Sequence, residues 1–241
     1  MLVASPAWAQ QISHFEATHV RYSDDPLPGQ PSFRYRLGTR PVLISAPHGA
    51  RHWREDHWKM QDGFTSALAH VLAEHTGAHA LYTVRRIRPD PNYDDDCDYK
   101  RTLAKLLRDH PIRLVLDLHG ARFDRAFGVA LGTIEGHSCP DFEAGIIQAF
   151  VTQGFGLDAP DFLDRLALNM PDYRGGVRQR TVTRFVWEQC RVNAVQIELN
   201  AHLRVVSNHA PTMYTFTPDP VRQRRAVEAL IRIIAAVAAD P

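Results

Sequence analysis

Short apolar runs alternate along this chain with segments whose apolar residues recur at helical spacing. Residues 1–40 are mixed and carry a Pro/Gly/Asp-rich stretch, DDPLPGQPS, that predicts a loop. The run 41–46 (PVLISA) is apolar and stops at Pro47-His48-Gly49, the pattern of a buried strand ending in a loop. Over 62–76, Phe64, Leu68, Val71 and Leu72 fall on one helical face, with Gly77 placed to cap the end. Residues 78–84 read as a strand, 88–98 (RPDPNYDDDCD) as an acidic loop, and 99–110 as a helix closed by Pro111. The run 112–118 (IRLVLDL) is the clearest buried strand and leads directly into His119-Gly120. Further strands are expected over 127–131 and 193–199, and helices over 138–153 and 220–239. Strands alternating with helices predict an α/β fold with a mixed, mostly parallel sheet flanked by helices, as one domain over 1–241.

Composition narrows the class. A hydrophobic share of 44% and a charged share of 23% are those of an ordinary globular chain. The net charge of +1 gives no electrostatic footprint for nucleic acid or an anionic membrane. No apolar run is long enough to span a bilayer. The opening MLVASPAWAQQ lacks a basic segment and a full apolar stretch, so it reads as a poor or truncated signal peptide and the expected compartment is the cytoplasm. Cys97, Cys139 and Cys190 form no CxxC or CxxH pair, which argues against a thiolate zinc site. No GxGxxG or GxxxxGK[ST] is present to cradle a nucleotide.

Three strand ends carry polar groups that packing does not require: Pro47-His48-Gly49, Asp117-Leu118-His119-Gly120, and Gln196-Ile197-Glu198-Leu199-Asn200. In open α/β sheets ligands gather at the carboxyl ends of the strands. A catalytic zinc takes three protein ligands and leaves a position for water. His48 and His119 supply two, and Glu55, Asp56 and Asp62 are candidates for the third. Asp62 opens the segment 62–76, so it is placed either to ligate or to cap that helix. Asp117, two residues before His119 and therefore on the same strand face, is placed to orient the imidazole or to bond loop amides. Glu198 is a lone carboxylate in an apolar strand, where burial raises the pKa toward that of a general base. Arg86, Arg88, Arg174, Arg178, Arg180 and Arg184 flank the polar loops as candidate receptors for a carboxylate.

Taken in order, these segments resemble the N-formylglutamate amidohydrolase family, relatives of the zinc carboxypeptidases and aspartoacylases. The resemblance rests on Pro47-His48-Gly49, on Gln61-Asp62, and on Arg86-x-x-x-Asp90-x-Asn92. Asp117-x-His119-Gly120, Tyr173-Arg174-Gly175-Gly176 and Gln196-Ile197-Glu198-Leu199-Asn200 complete it. It implies Zn²⁺ held by His48, Asp62 and His119, Glu198 as acid/base, and Asn92, Arg174 and Arg86 toward substrate. The implied substrate is a small N-acyl amino acid such as N-formylglutamate; a γ-glutamyl or peptide bond, or an inactive binding domain, are the alternatives. The chain departs from the pattern at Arg51, where a carboxypeptidase His-x-x-Glu has its acid, and at Tyr93, where the family usually has arginine.

Overall fold

A computed structural model describes residues 7–176, 179–206 and 217–239. The chain begins with α1 (Ala7–His19), β1 (Phe33–Arg36) and β2 (Val42–Ala46), followed by a hairpin of β3 (His52–Arg54) and β4 (His57–Lys59). Then come α2 (Thr65–Thr76), β5 (His79–Thr83), α3 (Asp98–Asp109), β6 (Leu114–Ala121) and β7 (Val129–Gly132). After α4 (Glu143–Thr152) and a 3₁₀ turn, Phe162–Asp164, the chain forms β8 (Leu166–Leu168). Next, α5 (Val182–Phe185) continues into a π-helical turn, Val186–Cys190. It ends with β9 (Asn193–Asn200), α6 (Ala201–Arg204) and α7 (Pro220–Ala239).

The sheet has the order β1-β5-β2-β6-β9-β7-β8. Its centre, β5, β2, β6 and β9, is parallel, while β1 and β7 join it antiparallel. All five residues of β2 and of β5 are buried, which is why both read as unbroken apolar runs rather than as alternating ones. Val42, Ile44, Leu114 and Leu116 face one core with α1, α2, α4 and α7; Leu43 and Val115 face a second core with α3 and α5. Helices therefore cover both faces, and the chain is a single α/β domain with a mixed, mostly parallel sheet, as the alternation predicts. Among the described residues no helix is long and apolar enough to cross a membrane.

The sequence does not predict α1, β1, the β3–β4 hairpin, β8, α5 or α6, and the remaining differences lie at element edges. α1 falls within 1–40 and buries only Ile12, Phe15 and Glu16, too thin a stripe to stand out. The helix expected from 62 begins at Thr65, and the one expected from 138 begins at Glu143. β6 does not stop before His119 but runs on to Ala121, because β9 pairs with it along its whole length.

Candidate metal centre

The central strands β2, β6 and β9 lie side by side, with Ser45 level with Asp117 and Asp117 level with Gln196. Two residues further on, His119 is level with Glu198. Side chains alternate along a strand, so Asp117 and His119 share a face of β6, as do Gln196 and Glu198 on β9. His48 sits in the turn just beyond β2. The glycine after each histidine makes room for a neighbour. A Cβ at Gly49 would clash with Ser66 Oγ, and one at Gly120 with the Arg204 guanidinium.

Asp62 reaches the two histidines from a separate loop. Its N–H donates to the His48 carbonyl (2.8 Å). Arg204 Nη1 donates to the Gly63 carbonyl, and Glu16 Oε1 accepts from the Phe64 N–H (2.7 Å). Phe64, at φ 71°, then turns the chain into α2 with no side-chain cap. Asp62 is thus not the helix cap; its carboxylate is turned toward the imidazoles.

Asp62 Oδ2 lies 3.6 Å from His48 Nδ1 and 3.3 Å from His119 Nδ1. All three donor atoms fall within 4.8 Å of one another. Zinc–ligand bonds near 2.1 Å put neighbouring tetrahedral ligands about 3.4 Å apart, so this spacing fits a single divalent cation. The opposite ring nitrogens each face a buried aspartate: His48 Nε2 is 2.7 Å from Asp90 Oδ1, and His119 Nε2 is 3.3 Å from Asp117 Oδ2. Carboxylates behind ligating imidazoles fix the ring and its tautomer. His48, His52 and Asp90 also form a close donor group, but it shares His48 and has the Arg54 guanidinium 3.7 Å from Asp90 Oδ2, a standing positive charge against a second cation.

Without a cation, protons hold these carboxylates together. Burial works against charge on His48, but Asp90 and Asp62 outweigh it and keep the imidazole protonated up to about 9. Burial likewise opposes charge on His119, and Asp117, Asp62 and Glu198 raise it well above the ordinary value. Burial pushes Asp62 up, and its bonds to His119 and His48 more than reverse that. Asp90 follows the same course through His48. His52, stacked on His48 with centroids 3.7 Å apart, is pushed down to about 3 by burial and by the charge of His48. Glu198 is raised by burial, with His119 opposing and Asp62 adding. Gln196 Nε2 donates to Glu198 Oε1 (2.8 Å), and Oε2 accepts no hydrogen bond among the described residues.

A cavity of about 280 Å³ holds His48, Asp62, His119 and Glu198 in its wall, and a neighbouring cavity of about 420 Å³ is lined by Asn92, Arg174 and Gln196 among others. Asn92 lines both, with its side-chain oxygen accepting from the Val182 N–H (2.8 Å). Arg174 lines the larger and is 3.4 Å from Glu135. Arg86, expected to face substrate, lines neither: two of its nitrogens bond Asp25 and its guanidinium lies over Trp58. Glu55 and Asp56 form the exposed tip of the β3–β4 hairpin rather than part of the centre. Asp117 faces His119 and accepts from Thr183 Oγ1 (3.1 Å) rather than from loop amides. Arg88 stacks on Trp53, Arg180 pairs with Asp95 and Arg184 with Glu188, while Arg178 lies outside the described residues. No role for Asp90, His52 or Arg54 follows from the sequence alone. Asp90 stood inside the Arg86–Asn92 segment, but only the fold shows that it backs His48.

Neither the protein-family models nor the curated proteins contain a match to this chain. Among solved structures, N-formylglutamate amidohydrolase from Ralstonia eutropha JMP134 has a TM-score of 0.53 at 14% identity, with 86% of this chain and 98% of that one covered. Gene product Atu2144 from Agrobacterium tumefaciens has a TM-score of 0.51 at 11% identity, with 91% and 98% covered. At such identity the likeness is one of fold.

Proposed function

We propose that this chain is a metal-dependent hydrolase that cuts the amide bond of a small N-acyl amino acid or peptide-like molecule, with zinc as the cation. The observation that carries the reading is the convergence of His48 Nδ1, Asp62 Oδ2 and His119 Nδ1 beside a buried Glu198, at the carboxyl ends of the central strands. The fold shared with an N-formylglutamate amidohydrolase supports it.

His48, Asp62 and His119 would hold the cation, which when bound supplies a Lewis acid for the amide carbonyl and lowers the pKa of water. Asp90 and Asp117 keep the two rings aimed and strengthen their donor nitrogens. With Oε1 held by Gln196, Glu198 Oε2 takes a proton from the attacking water and returns it to the leaving nitrogen. The C–N bond breaks, the acyl carbon keeps the water oxygen, and the nitrogen leaves as an amine. A raised proton affinity suits Glu198 to both transfers.

Purified chain loaded with zinc is expected to bind one equivalent and to hydrolyse members of a panel of N-acyl amino acids, with loss on chelation. Glu198→Gln is expected to keep the zinc and to lose about 10²–10⁴-fold in kcat. Absence of stoichiometric metal points instead to a binding domain, and full turnover in Glu198→Gln sinks the proton shuttle.

A further inference from the structure

Arg204 ends α6, the four-residue helix that follows β9. Asn200 fixes where that helix starts: its Oδ1 accepts from the His202 N–H (3.1 Å), and its Nδ2 donates to the Phe127 carbonyl (3.0 Å). The Arg204 side chain folds back over the strand ends, into the space that Gly120 leaves by lacking a Cβ. Each of its three nitrogens donates to a backbone carbonyl: Nε to Leu199 (3.2 Å), Nη2 to Ala121 (3.3 Å) and Nη1 to Gly63. Leu199 follows Glu198 in β9, Ala121 closes β6 two residues beyond His119, and Gly63 follows Asp62. One rigid guanidinium therefore ties together the three segments that carry His119, Asp62 and Glu198. It acts on them through the main chain.

The Asp62 segment is gripped from a second side. The Gly63 carbonyl and the Phe64 N–H belong to one planar peptide group. Arg204 donates to its oxygen, and Glu16 Oε1, brought from α1, accepts from its N–H (2.7 Å). The Tyr22 hydroxyl donates to the same Glu16 oxygen and lies against Gly63. Only one orientation of the peptide plane satisfies Arg204 and Glu16 together. That orientation gives Phe64 a φ of 71°, a conformation rare for a residue with a Cβ, so the backbone does not adopt it unaided. The dihedrals on either side of this plane set where Asp62 stands relative to α2.

We propose that Arg204 and Glu16 are positioning residues, a clamp on the 63–64 peptide that aims the Asp62 carboxylate at His48 and His119 and so sets the affinity for the cation. The part concerning the cation rests on the metal-centre reading; the clamp itself does not.

The test compares wild type with Arg204→Ala, Glu16→Ala, Glu16→Gln and the Arg204→Ala/Glu16→Ala double variant, all as full chain. Phe150→Leu, a core change in α4, measures what lost stability alone does. Competition with a chromophoric chelator gives the zinc Kd, with circular dichroism to check the fold. Each single alanine variant is expected to weaken zinc binding by about 10–100-fold. The double variant is expected to lose less than the product of the two, because both act through one peptide group. Glu16→Gln keeps an oxygen for the Phe64 N–H and is expected to lose less than Glu16→Ala. If Arg204→Ala does not fold, the two Glu16 variants carry the comparison. Unchanged zinc affinity in the alanine variants, an equal loss in Phe150→Leu, or losses that multiply in the double variant overturn the proposal. If wild type binds no zinc, the metal-centre reading fails, and hydrogen exchange of the Asp62 amide, bonded to the His48 carbonyl, decides on the clamp. Protection lost in both alanine variants and kept in Phe150→Leu upholds it, and any other pattern refutes it.

Discussion

His48 divides its two ring nitrogens between two carboxylates, Nδ1 toward Asp62 and Nε2 toward Asp90. A neutral imidazole has one donor and one acceptor nitrogen, so a proton on Nε2, held by Asp90, frees Nδ1 to ligate. Asp90→Asn keeps the size of that partner but removes its charge. It is expected to weaken zinc affinity by about 10–100-fold, measured by competition with a chromophoric chelator; an unchanged Kd would remove Asp90 from the centre. His48, His119 and Glu198 stood out in the sequence because each interrupts or closes an apolar run that packing alone explains. Asp90 and Arg86 sit in one irregular loop, and a loop carries no periodicity from which side-chain direction can be read. One of them backs His48, and the other is held by Asp25.

At the scale of elements, the β3–β4 hairpin brings His52 and Arg54 to the centre, and it carries none of the usual turn signals. Its two linking residues, Glu55 and Asp56, both have positive φ, +53° and +61°, the geometry of a type I′ turn that favours Asn-Gly. The double substitution Glu55→Asn/Asp56→Gly is expected to stabilise the chain by about 1 kcal/mol, at the cost of the exposed Glu55–Lys59 pair, which contributes little. For a domain of this size that is an increase in Tm of about 2–4 °C, read by thermal melting. A lower Tm would mean that the turn is not strained. The same rule of local chemistry misleads at α2, where Asp62 resembles an N-cap by position. Bonds from Arg204 and Glu16 hold residues 63 and 64, and the Asp62 carboxylate is left for the histidines.

At the scale of the whole molecule, the centre makes stability fall with rising pH in the metal-free chain, and a bound cation would offset that fall. His48 is raised from 6.5 to about 9 in the folded chain. The folded state therefore binds more protons than the unfolded one in this window, so the stabilisation is complete below 6.5 and is lost as pH rises through about 9. Zinc needs the same nitrogen without its proton, so its affinity strengthens over that window. The metal-free chain is expected to lose Tm between pH 6.5 and 9 while the gain in Tm on adding zinc widens. A gain that stays constant over this range would show that the cation does not displace the proton from His48.

The sequence by itself determined the alternation of buried strands and amphipathic helices, and with it the α/β class. Burial and helical period are written in local runs of residue types. It also placed His48, His119 and Glu198 in or just beyond strands, where a polar group needs a reason. Only the tertiary structure decided that β2, β6 and β9 lie together, and that Asp62 rather than Glu55 or Asp56 meets both imidazoles. It alone put Asp90 and Arg54 beside them. Those contacts join residues 42 or more positions apart in the case of His48 with Asp90, and 57 in that of Asp62 with His119. They depend on strand order and loop direction, which no local pattern encodes.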